Sequence, residues 1–149
     1  MRNLFEAATL NEVTERMAQL RPDSERLWGK MNAAQMLAHC SASMEVAVGL
    51  KSPPRSLMGH LLGRFAKSRV LNEKPLSRNM PTDPSFVVKD DPDFAVQRQR
   101  LQGLADRFAM GGPAECTKHP HSFFGSMTPE EWAILGYKHL DHHFRQFGV

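Results

Sequence analysis

The run Thr128-Pro129-Glu130-Glu131-Trp132-Ala133-Ile134-Leu135-Gly136-Tyr137-Lys138-His139-Leu140-Asp141-His142-His143-Phe144-Arg145-Gln146-Phe147-Gly148 decides the fold. Thr128 with Glu131 three residues on is a capping box: the hydroxyl caps the first turn and the carboxylate reaches back. Pro129 occupies the first helical position, where a missing N–H costs nothing. Gly148 ends the helix. At 100° per residue, Trp132, Gly136, His139, Leu140, His143 and Phe147 fall in one sector. Ile134 and the charged Lys138, Asp141 and Arg145 fall opposite. The helix is therefore amphipathic, with His139 and His143 facing inward. Residues four apart stack on one face, so both imidazoles can reach one ion. His142 lies on the flank of that sector, nearer Leu135.

The same punctuation recurs upstream. Thr9 with Glu12 predicts a helix to about Leu20, before Arg21-Pro22. Asn32 with Gln35 predicts one to about Val48, stopped by Gly49. Asp91-Pro92 predicts one through Phe94, Leu101, Leu104 and Phe108 to Gly111-Gly112. About forty residues join the second and third of these four helices, with Pro53, Pro54, Pro75, Pro81 and Pro84 among them. Within that link, 56–70 predicts a shorter amphipathic helix, with Leu57, Leu61, Leu62 and Phe65 on one side. A structureless loop of that length is unusual in a compact domain. The expected architecture is all-α: a four-helix bundle with a long, partly helical crossover between helices 2 and 3.

Composition agrees with that class. A chain of 149 residues fits one domain, 1–149, and can bury a core without staples. It is 41% hydrophobic and 23% charged, outside the disordered and membrane-embedded ranges. Nine Met and nine Phe against one Tyr favour helix over strand. The opening Met1-Arg2-Asn3-Leu4-Phe5-Glu6 lacks an apolar signal region, no stretch is long enough to span a membrane, and two cysteines make no framework. A cytoplasmic location is expected. Charge is uneven: Lys51 to Arg78 holds seven Lys or Arg and a single acid, Glu73. Such a stretch could be a lid carrying Arg55, Arg64 or Arg69 to an anion, a surface for a phosphate polymer or membrane, or a solvated loop. Nucleic acid is disfavoured, since Phe65 is the one aromatic there able to stack on bases.

On the second helix, Met36, His39, Cys40, Ser43, Val46, Ala47 and Leu50 share a face, with Ala38, Ser41 and Glu45 opposite. His39 is thus a third inward imidazole, on a second helix. Neutral imidazole binds Zn, Ni, Fe and related ions. Three ligands leave positions open for water or substrate. The competing reading is three hydrogen-bonded core histidines. Gln146 and Gln35 also point near the presumed cavity, with Gln146 placed to orient a ligating His. Cys116, His119 and His121 read as incidental in a turn rather than as a second metal cluster, Cys40 as a small core residue, and Trp28 and Trp132 as packing.

His119-Pro120, then Phe124-Gly125-Ser126-Met127-Thr128-Pro129-Glu130-Glu131-Trp132, and Tyr137 to Gly148 resemble a branch of the DinB-like superfamily without assigned activity. Trp28-Gly29-Lys30-Met31-Asn32 with Met36-Leu37-Ala38-His39-Cys40 is similar to that family's second-helix motif. Asn79-Met80-Pro81-Thr82-Asp83-Pro84 is similar to its crossover. The usual His-Pro-Phe-Phe-Gly appears as His119-Pro120-His121-Ser122-Phe123-Phe124-Gly125, two residues longer. The resemblance implies a metal held by one His of helix two and an H-x-x-x-H pair of helix four, which map onto His39, His139 and His143. Characterised relatives include thiol transferases and a thiol-dependent isomerase, and bundles of this kind often form homodimers. The expected activity is metal-dependent: one divalent ion (Zn, Ni, Fe or Mn) activates water or a small thiol for hydrolysis or transfer to a small, unidentified electrophile. The alternative is a non-catalytic stress-response or binding module with a structural or vestigial metal.

Overall fold

A computed structural model describes residues 1–80 and 82–149. Pro81 of the crossover motif lies outside the described residues. Among those described there are five α-helices and no strand: α1 (Ala7–Gln19), α2 (Ala33–Ala47), α3 (Leu57–Val70), α4 (Phe94–Glu115) and α5 (Pro129–Gln146), with a 3-10 turn at Pro84–Phe86. Helices α1, α2, α4 and α5 share one core through residues such as Val13, Met36, Phe108 and Phe144. Leu4, three residues before α1, is buried in the same core.

Two of the three predicted capping boxes form. Asn32 Oδ1 accepts from Gln35 N at 2.8 Å, and Gln35 Oε1 accepts from Asn32 N at 3.0 Å. Thr128 Oγ1 accepts from Glu131 N at 3.1 Å, and Glu131 Oε2 accepts from Thr128 N at 2.9 Å. The far end of α5 closes through Gly148 at φ +74°, where Val149 N donates to Phe144 O at 3.1 Å and Gly148 N to Arg145 O at 3.3 Å.

The predicted Thr9–Glu12 box does not form. Helix α1 starts three residues earlier, at Ala7 with Glu6 as N-cap, and Thr9 Oγ1 instead donates to Glu6 Oε2 at 3.0 Å. The start of α4 also differs: Asp93, not Asp91, accepts from Val96 N at 2.8 Å. Gly112 breaks α4 with φ +58° and ψ −152°, and a further turn carries on through Pro113 to Glu115.

Helix α2 is buried nearly all round, because both α4 and α5 pack on it. Ser41 and Glu45, expected on its outer side, are buried, whereas Leu50 beyond its end is exposed. Ser41 Oγ returns a hydrogen bond to Leu37 O at 2.9 Å, and Glu45 is paired with Arg100 and with Lys51 Nζ, the latter at 2.7 Å. The crossover helix α3 forms where predicted, capped by Ser56, but it turns the opposite way. Gly59, Gly63 and Val70 are its buried residues, and Leu57, Leu61, Leu62 and Phe65 are exposed.

Candidate metal centre

The histidines come together because two helices present them at one level. His139 and His143 stand one turn apart on α5, and His39 faces them from α2. Their ring centroids are 4.7–4.9 Å apart. One ring nitrogen from each lies within 4.8 Å of the other two, a spacing that could hold a metal ion. Among the described residues no other His, Cys, Asp and Glu group of three converges in this way.

Two of the rings are fixed by partners. His39 Nδ1 lies 2.9 Å from Phe86 O. A carbonyl only accepts, so Nδ1 carries the proton and Nε2 keeps a lone pair aimed at the cluster. His143 Nδ1 lies 2.9 Å from Gln146 Oε1, and Gln146 Nε2 in turn donates to Trp28 O at 2.7 Å. Trp28 O holds the amide so that its oxygen faces the ring, which again leaves Nε2 of His143 as the free acceptor. Hydrogen bonds of this kind, on the far nitrogen, set tautomer and orientation in histidine metal sites. His39 Nε2 and His139 Nε2 are 3.0 Å apart. With His39 protonated on Nδ1, a bridge between the two requires the proton on His139 Nε2, so His139 would ligate through Nε2 only after that proton moves to its Nδ1.

The environment keeps these rings neutral. Burial lowers His39 below the ordinary His range, partly offset by the Phe86 carbonyl. Burial and then the neighbouring His143 and His39 hold His139 well below it. Burial, reinforced by His39 and opposed by Gln146, pushes His143 down to about 3. His39 and His143 are buried and His139 is half-buried. An all-imidazole donor set that stays neutral fits a borderline divalent ion.

The other residues weighed in the sequence fall elsewhere. His142 packs edge-on against Trp28, with centroids 5.9 Å apart, and is outside the cluster. Gln35 is not at the cavity: it completes the α2 cap, and its Nε2 donates to Asp90 O at 3.1 Å. His121 serves its own loop, its Nδ1 accepting from Phe123 N at 3.0 Å and Phe124 N at 3.2 Å. Burial pushes it down to about 4. The two cysteines are buried free thiols. Sequence reasoning missed the Phe86 and Trp28 carbonyls, since a backbone group brought in by a distant loop leaves no side-chain pattern to find.

Two cavities flank these helices. One of about 240 Å³, lined by Ala42, Val46, Lys51, Ser52, Pro53 and Phe86, lies along α2 from His39. A larger one of about 320 Å³ lies around Tyr137, Lys138 and Asp141, which the helical period places across α5 from the cluster. Carboxylates near these elements are already engaged: Asp141 with Arg16 at 2.9 Å, and Glu45 with Arg100 and Lys51.

Among the described residues no helix is long and apolar enough to cross a membrane. A family described as "Protein of unknown function (DUF1569)" matches residues 2–148. No curated protein and no solved structure matches the chain.

Proposed function

The chain belongs to the DUF1569 family, and on that footing we propose that it is a DinB-like four-helix bundle acting as a metal-dependent enzyme. The observation that carries this is the convergence of His39, His139 and His143, with two of the three already oriented from behind by Phe86 O and Gln146. These three residues would hold one divalent ion. A divalent ion held by these residues would supply Lewis-acid chemistry, lowering the pKa of a water or small thiol so that it could serve as a nucleophile near neutral pH for hydrolysis or transfer to a small electrophile. Phe86 keeps the His39 lone pair directed inward, and Gln146 does the same for His143. Burial keeps all three imidazoles deprotonated. The cavity bordered by Ala42, Val46 and Phe86 shares Phe86 with the cluster and supports approach of a small molecule from that side. The free, buried Cys40 and Cys116 suit a reducing cytoplasm.

A second reading rests on the 3.0 Å approach of His39 and His139. Through that bond the cluster partly satisfies itself as core, and the protein is then a binding module with a structural or vestigial metal.

Elemental analysis of untagged protein, purified without nickel resin, tests the first reading beside His139→Ala. About one equivalent of metal is expected in the wild type, with the mutant's affinity down by more than the roughly 10–100-fold typical of losing an outer partner. Absence of metal after incubation with Zn, Ni, Mn and Fe(II) would sink it. If metal is present, a melt with and without chelator separates the two readings: a catalytic site keeps most of its stability, while a structural one melts much earlier.

A further inference from the structure

We infer that α3 is a docking element for an anionic phospholipid surface. The direction in which the helix faces is set by its glycines. A Cβ on Gly59 would sit 2.7 Å from Phe123 O, and one on Gly63 would overlap the same carbonyl. Nothing larger than glycine fits there, so α3 lies tightly on the 122–124 loop and turns its large side chains away. Ser56 N, donating to Ser122 O at 2.9 Å, fixes its start on the same loop.

The outward face is apolar. At 100° per residue, Leu57, Met58, Leu61, Leu62 and Phe65 occupy one arc of roughly 140°. Leu57 is 85% exposed, Phe65 74% and Leu61 72%. A contiguous stripe of five large apolar side chains marks an interaction surface rather than ordinary exterior.

The charges around it choose the occupant. No acidic residue occurs from Lys51 to Asn72. Arg64 and Arg69 border the stripe, and neither has a carboxylate partner among the described residues. Lys67, on the inner side, is paired with Glu131 at 2.9 Å. A second copy of the chain fits this poorly. A 14-residue helix is only about 21 Å long, so its face covers a few hundred Å², short of the roughly 800 Å² per partner of a stable complex. Such a pairing would also gather the arginines of both copies with no acid on the helix between them. A bilayer needs less area: the leucines and Phe65 enter the headgroup boundary while the guanidiniums meet phosphates, the helix lying in the plane of the surface. Each cation near an anionic leaflet strengthens binding roughly fivefold.

Co-sedimentation with phosphatidylglycerol-containing vesicles, beside pure phosphatidylcholine vesicles, tests this. The wild type should pellet with the anionic vesicles, less so at high salt, and hardly at all with the neutral ones. Phe65→Glu and Leu61→Glu, each at an exposed position and so expected to melt like the wild type, should cut binding more than tenfold. Arg64→Gln with Arg69→Gln should cut it about 25-fold on anionic vesicles alone. Two outcomes overturn the inference. One is no vesicle binding by a monomeric wild type. The other is a dimer by light scattering that Phe65→Glu dissolves without any vesicle binding, which would assign the face to a second copy. Both readouts are independent of metal content.

Discussion

Acid is expected to destabilise the metal-free protein by several kcal/mol between about pH 6.5 and pH 4. His143 is pushed down to about 3 and His121 to about 4 by burial, whereas in the unfolded chain each titrates near 6.5. Above that pH neither state binds a proton and the full stability is present. As pH falls, the unfolded state takes up protons that the folded state refuses, so stability declines until the folded pKa is reached. At pH 5 the difference of about 1.5 units corresponds to about 2 kcal/mol for each of these two residues. His39 and His139, both lowered by burial, act in the same direction. Against a total stability of about 5–15 kcal/mol this is a large fraction. Urea unfolding of chelator-treated protein at about pH 7.5 and about pH 5 measures it. Equal midpoints at the two values would show that the imidazoles are hydrated or paired in the folded chain. With a bound ion the fall should be steeper, because protons and metal compete for the same nitrogens.

Phe108→Ala is expected to cost about 3–5 kcal/mol. The ring is fully buried on α4 and stacked on Phe5, with centroids 5.1 Å apart and planes at 19°. Its removal leaves a void where the segment leading into α1 meets α4, and it breaks an aromatic pair of about 0.5–1.5 kcal/mol that is included in that range. The urea midpoint should fall sharply while metal per folded molecule stays the same, since Phe108 stacks on Phe5 and the three histidines pack on one another. A loss under about 1 kcal/mol would contradict this packing of Phe5 on α4.

The parts of the fold legible in the sequence are those set within one turn. The Asn32–Gln35 and Thr128–Glu131 boxes depend on residues three apart, and both form. Thr9–Glu12 has the same spelling and fails, because burial of Leu4 places the Glu6 carbonyl to accept from Leu10 N at 3.0 Å and start the helix sooner. Asp91 lost to Asp93 for a similar reason: either could cap, and the packing of Phe94 against the core chooses the later one. For the site, the helical period alone put His139 and His143 on one face. That His39 meets them is a fact of tertiary packing, as are the carbonyls behind His39 and Gln146. Helix α3 shows the limit most clearly. Periodicity identified its apolar face, but only the loop at Phe123, packed against Gly59 and Gly63, turns that face outward.

The long crossover is fastened along its length: Ser56 N to Ser122 O near its start, Lys138 Nζ to the Asn72 and Lys74 carbonyls in its middle, and Phe86 O to His39 near its end. This has a consequence for how the family can vary. Closure entropy rises only slowly with loop length, so insertions and deletions between α3 and the 3-10 turn cost little as long as these fastenings persist. Length drift among relatives should therefore concentrate near residues 77–80, past the Asn72 and Lys74 carbonyls that hold Lys138. The few residues around Phe86 should keep their spacing, because shifting that carbonyl by one position would remove the hydrogen bond that orients His39.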